Sequence, residues 1–138
     1  MTTRKPRRRP SIHMIDVEAD ALAELAVSVE KRMPDVAALL TDEISRATIH
    51  TAAAMPRDIV TMSSRVDFID EANGAARSIQ LVYPHDADIA AGRISILTPI
   101  GAGLIGLRRG QSISWPDRDG RERALSVVDV SQPAKAAS

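Results

Sequence analysis

The fold is decided by the stretch Arg93-Ile-Ser-Ile-Leu-Thr-Pro-Ile-Gly-Ala-Gly-Leu-Ile-Gly-Leu-Arg-Arg-Gly-Gln-Ser-Ile-Ser-Trp115. It predicts a short apolar strand, a small helix rich in glycine and alanine, a two-arginine turn and a second strand. Thr98-Pro99 predicts the helix start, because proline is pre-set for the first helical turn and lacks the N–H that would be unpaired there. Glycine inside a helix costs about 1 kcal/mol relative to alanine, so Gly101, Gly103 and Gly106 need a packing reason. We expect this helix to lie close against a sheet.

Two amphipathic helices are predicted upstream of this stretch. The first begins at its expected N-cap, Asp16, and breaks at Met33-Pro34. The second ends at Met55, because Pro56 disfavours helix in the residue before it. Their apolar residues recur at the spacing of a helical seam: Ile15, Leu22, Leu25 and Val29 in the first helix, and Ala37, Leu40, Ile44 and Ala47 in the second. Since the connection is short, the pair is expected to form an antiparallel, coiled-coil-like hairpin.

After Pro56 the pattern changes to that of strands. The segments predicted to be extended are 59–62, 66–69, 78–83, 94–97, 113–115 and 124–130, with Asn73-Gly74 as the strongest hairpin signal. The predicted class is α+β: a helical hairpin at 13–55, then an antiparallel β-sheet domain at 56–131 with one short Gly-rich helix. Residues 1–12 and 132–138 are predicted to be disordered tails.

The composition excludes several classes of protein. Of 138 residues, 44% are hydrophobic and 26% charged, which is typical of a soluble globular chain. Aromatics make up only 2%, which disfavours platforms that stack single-stranded bases. The absence of cysteine excludes disulfides and thiolate zinc sites and fits a reducing cytoplasm. No apolar run approaches the roughly 20 residues of a membrane span, and no apolar stretch follows the basic N-terminus as in a signal peptide. We expect a cytoplasmic protein without a membrane partner.

The formal net charge of zero conceals an uneven distribution. Residues 11–55 carry eight acids and three bases, whereas the first ten residues carry five bases and no acid. The five bases of the tail are Arg4, Lys5, Arg7, Arg8 and Arg9. Two interpretations stay open: a solvated terminus, or a non-specific contact with nucleic-acid phosphates that salt would weaken.

No constellation of catalytic or metal-binding residues emerges. His85-Asp86-Ala-Asp88 has a composition that metals accept, but a solvated loop explains it better. Gly101-Ala-Gly-Leu-Ile-Gly106 matches a dinucleotide pattern without the βαβ unit that the pattern requires. Ser63-Ser64 lacks an oriented base. We predict no catalytic residue, no metal, no cofactor and no small-molecule substrate.

Five sequence runs, taken in order, point to a known family. They are Asp58-Ile-Val-Thr-Met-Ser-Ser-Arg-Val-Asp-Phe68, Leu81-Val-Tyr-Pro84, Ile94-Ser-Ile-Leu-Thr-Pro-Ile-Gly-Ala102, Leu104-Ile-Gly-Leu107 and Gly110-Gln-Ser-Ile-Ser-Trp115. This series resembles the C-terminal domain of the Gre transcript-cleavage factors, and more closely their relatives, the regulators of nucleoside diphosphate kinase. The resemblance covers most of residues 56–131. It implies an FKBP-like fold and binding to RNA polymerase at the secondary channel.

The tip of the predicted hairpin departs from the Gre pattern. The resemblance implies a long coiled coil whose paired tip acids help to hold a catalytic Mg²⁺. Here Glu30 and Asp35 are separated by Lys31, Arg32 and a proline turn, and the bases would repel a metal. A solvated turn and a polymerase-contacting tip both remain open.

These observations favour a non-enzymatic regulator that binds RNA polymerase near its secondary channel and competes with Gre factors. Arg108 and Arg109 are candidate docking residues, although a solvated turn explains them equally well. Isomerase activity, which an FKBP-like fold raises, is disfavoured by the scarcity of aromatics. The alternatives are a catalytic transcript-cleavage factor that uses Glu30 and Asp35, and a protein that acts directly on nucleoside diphosphate kinase.

Overall fold

A computed structural model describes residues 11–71, 73–116 and 122–133. In chain order the elements are β1 (His13–Ile15), α1 (Asp16–Val29), α2 (Pro34–Arg46), β2 (Thr48–His50), β3 (Arg65–Asp70), β4 (Ala75–Val82), β5 (Arg93–Ser95), α3 (Pro99–Leu104), β6 (Ser112–Pro116) and β7 (Glu122–Ser131). Helices combined with a mixed sheet confirm the predicted α+β class. The basic residues of the tail lie outside the described residues.

The main sheet has five strands in the order β5-β4-β3-β7-β6. All neighbours are antiparallel except β4 and β5, which run parallel from the pair Gln80–Arg93 to Val82–Ser95. The prediction of a purely antiparallel sheet is therefore wrong at this edge. The cause is the segment between the two strands, which contains two short 3₁₀ turns, Pro84–Asp86 and Ile89–Ala91. This segment returns the chain alongside β4 before β5 begins, so β5 runs in the same direction as β4.

The β3–β4 hairpin forms where Asn73-Gly74 predicted it. Asp70 O accepts the N–H of Gly74 at 2.8 Å, and Gly74 takes the left-handed φ of +71° that glycine tolerates. The strand expected at 59–62 is reduced to a single bridge between Ile59 and Arg108. It ends in a turn, because Ser64 Oγ accepts the N–H of Thr61 at 3.0 Å and draws the backbone out of the extended form.

Both predicted helix boundaries need correction. The N-cap of α1 is Ile15 and not Asp16, whose carboxylate instead accepts the N–H of Val17 at 2.7 Å. Helix α2 ends at Arg46 and not at Met55, because residues 48–50 form β2, which pairs in parallel with β1. Strand pairing across the fold, and not the proline that follows, therefore ends the helix.

The Gly-rich helix α3 begins as predicted, with Thr98 Oγ1 accepting the N–H of Gly101 at 3.0 Å. A Cβ on Gly101 would lie 2.3 Å from Ser95 O, so the helix does lie against the end of a strand. Gly106 lies beyond the helix, which ends at Leu104, and so it is not a helical glycine. A Cβ there would lie 2.9 Å from the Cβ of Ile12, so Gly106 leaves room for the chain entering β1.

One hydrophobic cluster extends through the helices and the main sheet. It includes Leu22 of α1, Leu40 of α2, Leu104 of α3 and Phe68 of β3, all essentially buried. Helix α2 packs against α3, so the α1–α2 pair is attached to the sheet through a shared core. In the described part of the chain no helix is long and apolar enough to cross a membrane.

Candidate functional site

The connection between α1 and α2 exposes the predicted tip residues at one end of the helix pair. Val29 O accepts the N–H groups of Arg32 at 3.1 Å and Met33 at 2.7 Å, which closes the end of α1 before Pro34 starts α2. The side chains of Glu30, Lys31, Arg32 and Asp35 are all exposed. The tip thus presents two acids and two bases to the solvent.

A shallow groove beside the tip brings together residues that the sequence had not grouped. Its lining residues are Glu30, Pro34, Ala37, Ala38, Thr41 and Asp42. Glu30 and Asp42 of α2 therefore border the same groove, while Asp35 does not line it. No cluster of three or more His, Asp or Glu suited to a metal occurs among the residues that the structure covers.

The predicted docking residues lie in the turn after Leu107. The N–H of Arg108 donates to Gln111 Oε1 at 2.7 Å, and Arg108 Nε lies 3.3 Å from Asp58 Oδ2. The Nε–H makes no hydrogen bond, so the two charges attract without a directional bond. Arg109 Nε is 3.7 Å from Asp129 Oδ1, and its side chain is 63% exposed, against 42% for Arg108. Arg109 is thus the more available of the two.

The tail bases Arg4, Lys5, Arg7, Arg8 and Arg9 lie outside the described residues, but the point where the tail joins the fold is fixed. Ile12 is fully buried, and its carbonyl accepts the N–H of Thr48 at 2.9 Å. The next residue, His13, donates its N–H to Gly106 O at 3.1 Å. The chain before β1 therefore joins the protein next to the Arg108 turn.

A histidine pair that sequence reasoning missed links β1 to β2. His13 Nδ1 and His50 Nε2 are 2.9 Å apart, so one nitrogen donates and the other accepts. Burial, then the nearby His50 and Arg108 charges, lowers the pKa of His13, while Asp58 opposes this shift. Only the parallel pairing of β1 and β2, which the sequence pattern did not reveal, brings the two rings together.

A second missed contact joins α1 to the sheet. Glu18 Oε1 accepts the backbone N–H of Met62 at 3.0 Å. Burial raises the pKa of Glu18, and the hydrogen bond from Met62 partly offsets this. Tyr83 lies close by: burial and the charge of Glu18 raise the pKa of its hydroxyl. In the sequence, Glu18 is an acid in the first helical turn, where it interacts favourably with the helix dipole. That position gives no sign of its contact with Met62.

Comparison with known proteins identifies the family. Residues 55–132 match the family model of the transcription elongation factor GreA/GreB C-terminal domain. The chain is 34% identical over 129 residues to the regulator of nucleoside diphosphate kinase of Escherichia coli K12, covering 94% of this chain and 95% of the relative. It is 31% identical over 134 residues to the transcription elongation factor GreA of Acidiphilium cryptum, covering 91% and 85%. A solved GreA/GreB elongation factor from Nitrosomonas europaea superposes with a TM-score of 0.70 at 32% identity, covering 89% of this chain and 99% of that one.

The chain belongs to the GreA/GreB family, as the five sequence runs indicated. Within it, the similarity extends over nearly the whole length of the regulator of nucleoside diphosphate kinase. The protein is thus a transcription-related regulator.

Proposed function

We propose that this protein is a non-enzymatic transcription regulator that binds RNA polymerase near its secondary channel and competes there with Gre factors. Membership in the elongation-factor family supports polymerase as the partner. In this proposal α1 and α2 act as an antiparallel hairpin that probes the mouth of the channel. The β-rich half, an FKBP-like domain, docks on the polymerase with Arg108 and Arg109 among its contacts. The protein acts in the cytoplasm, without a cofactor or a small-molecule substrate.

The exposed tip carries the proposal. Two bases, Lys31 and Arg32, stand between Glu30 and Asp35, and a divalent cation prefers charged oxygen ligands without neighbouring cations. Helix α1 has 14 residues and so spans about 21 Å, which is short for a probe that must reach a catalytic centre. Both features favour a regulator that occupies the channel mouth without assisting chemistry.

One observation favours the alternative of a transcript-cleavage factor. Glu30 and Asp42 line the same groove, so two acidic residues border a common space. A metal bound between such groups can activate water for phosphodiester cleavage. In this alternative Glu30 is essential, and its partner is Asp35, as the sequence suggested, or Asp42.

Two experiments test the proposal. In the first, purified polymerase is captured by the immobilised protein at low salt and challenged with a Gre factor. Binding that the Gre factor displaces is the expected result, and absence of binding contradicts the proposal. Arg109→Ala should weaken capture, whereas Arg77→Ala, which removes an exposed arginine of β4, serves as the matched control.

The second experiment uses backtracked elongation complexes with labelled RNA. We expect no shortening of the RNA when the protein is added. Shortening that disappears in Glu30→Ala would establish the cleavage alternative, and Asp35→Ala and Asp42→Ala would then identify the second acid.

Two further parts of the proposal are tested separately. The tail bases are proposed to make weak, non-specific contact with nucleic-acid phosphates, so deletion of residues 1–10 should flatten the salt dependence of duplex binding. An effect on nucleoside diphosphate kinase levels, suggested by the name of the relative, is also part of the proposal, and it is direct or indirect. Addition of the protein to purified kinase distinguishes the two: direct action changes the kinase activity, and indirect action leaves it unchanged.

A further inference from the structure

A single side chain joins the first turn of α1 to the segment that enters the main sheet. Glu18 Oε1 and the N–H of Met62 meet at 3.0 Å across 44 residues of sequence. Met62 lies in the turn 61–64, directly before Arg65 starts β3. The contact therefore ties the beginning of the helix pair to the beginning of a central strand.

The turn that receives Glu18 is held rigidly. Ser63 donates its N–H to Leu81 O at 2.6 Å, and Leu81 returns its N–H to Ser64 O at 3.0 Å. The hydroxyls of Thr61 and Ser64 are 2.8 Å apart. Ser63 has a φ of +68°. A residue other than glycine keeps this backbone conformation only where several surrounding contacts hold it in place. The N–H of Met62 thus has a fixed direction in the fold.

The contact with Met62 needs an acceptor oxygen and does not need a charge. Burial disfavours the ionised form of Glu18, which raises its pKa. A neutral amide oxygen would accept the same N–H without the desolvation of a charge. The apolar contacts between α2 and α3 are non-directional, whereas hydrogen bonds restrict both distance and angle. His13 makes one such bond to Gly106 O at the start of β1, and Glu18 makes a second one to Met62 in the first turn of α1.

We propose that Glu18 is a positioning residue that sets the angle at which the α1–α2 pair leaves the sheet. The position of the tip, Glu30–Asp35, relative to the Arg108–Arg109 turn follows from that angle. The consequence for polymerase rests on the proposed function, because a regulator that docks through one half and probes with the other needs a defined angle between them. The angle itself is a property of the free protein.

The angle can be measured directly, because the chain has no cysteine that would compete for a label. Lys31→Cys at the tip and Ser78→Cys on β4 replace exposed residues and accept spin labels. Pulsed electron–electron double resonance then gives the distribution of tip-to-sheet distances. In this background Glu18→Ala removes the contact, Glu18→Gln keeps an acceptor oxygen, and Glu24→Ala removes an exposed glutamate of the same helix as the matched control.

We expect Glu18→Ala to at least double the width of the distance distribution, with Glu18→Gln and Glu24→Ala retaining the parental width. Parental width in Glu18→Ala, with a native circular dichroism spectrum, overturns the proposal. Should Glu18→Ala not fold, Glu18→Asp decides. Its carboxylate is one methylene too short to reach Met62, so it should broaden the distribution, and a parental width there overturns the proposal equally.

A polymerase measurement separates this proposal from the proposed function. Glu18→Ala should still be captured by polymerase through the β-rich half, yet compete with a Gre factor about tenfold more weakly, a change equal to about 1.4 kcal/mol. Glu18→Gln should restore competition. If the parent protein does not bind polymerase, the proposed function fails, while the distance distributions still decide the role of Glu18. If Glu18→Ala shows a broadened distance distribution and still competes as well as the parent, the angle has no consequence for binding. That part of the proposal is then overturned.

Discussion

The substitution Gly101→Ala tests the close approach of α3 to the sheet, because this approach determines whether the free energy of unfolding falls or rises. The added Cβ would lie 2.3 Å from Ser95 O, 3.0 Å from the Cα of Ile96 and 3.1 Å from the carbonyl carbon of Ser95. All three are backbone atoms, so no flexible side chain can turn aside. Carbon contacts normally lie near 3.5–4.0 Å, so α3 or the end of β5 must shift by about 1 Å.

Two opposing effects set the magnitude. Alanine is favoured over glycine inside a helix by about 1 kcal/mol, which alone would stabilise the variant. Overpacking of a close-packed interior costs about 1–3 kcal/mol, and a clash between backbone segments belongs at the upper end. We expect a net loss of about 2 kcal/mol in the free energy of unfolding. For a chain of this length that is about 6–8 °C in Tm.

Urea unfolding followed by circular dichroism and by the fluorescence of the single tryptophan, Trp115, measures the loss. The midpoint should fall while the slope of the transition stays constant. Gly74→Ala is the control: no atom lies within 4 Å of its Cβ, but its φ is +71°. It should lose about 1 kcal/mol through backbone strain alone. A Gly101→Ala variant as stable as the parent, or more so, would refute the close approach.

Three further substitutions have defined outcomes. His13→Gln should reduce the loss of stability on acidification. Because the pKa of His13 is lowered in the folded protein, the unfolded chain binds the proton first, and stability falls as the pH drops below 6.5. If the urea midpoint shifts equally between pH 7.5 and pH 5.5 in the parent and the variant, this prediction is wrong. Ser63→Gly should raise the free energy of unfolding by about 0.5 kcal/mol, because glycine adopts the φ of +68° without a side-chain penalty; a decrease would argue against strain there. Leu40→Ala should lower it by about 2–5 kcal/mol, since Leu40 is fully buried in the common core, and a change below about 1 kcal/mol would show that α2 contributes little.

Local patterns predicted the local elements well. Thr98-Pro99 placed the start of α3 correctly because the capping hydroxyl and the proline act within one turn. Gly74 placed the β3–β4 turn because a left-handed φ is a property of one residue. The seam positions Leu22, Val29 and Leu40 are buried, since helical periodicity alone selects the inner face of each helix.

Features that depend on contacts between residues far apart in the chain could not be predicted from the sequence. Strand β2 forms because Ile12 offers a carbonyl to Thr48, and no pattern within residues 48–50 announces that partner. The parallel pairing of β5 depends on how the preceding 3₁₀ turns redirect the chain. At the candidate site, the tip residues were read directly from the sequence, whereas Asp42 and Glu18 acquire their roles only through the packing of α2 and of the turn 61–64.

The placement of β1 between Gly106 and β2 limits how the chain can be divided into fragments. A fragment beginning at Pro56 would expose Gly106 where residues 12–13 normally cover it. The helices, cut out at Asp16, would lose the partner strand of β2 in the same way. A chimera that places the α1–α2 pair on another scaffold must therefore carry residues 11–50 as one block. The scaffold must also supply a glycine at the position equivalent to Gly106, where β1 packs. The two halves share β1 and one hydrophobic cluster.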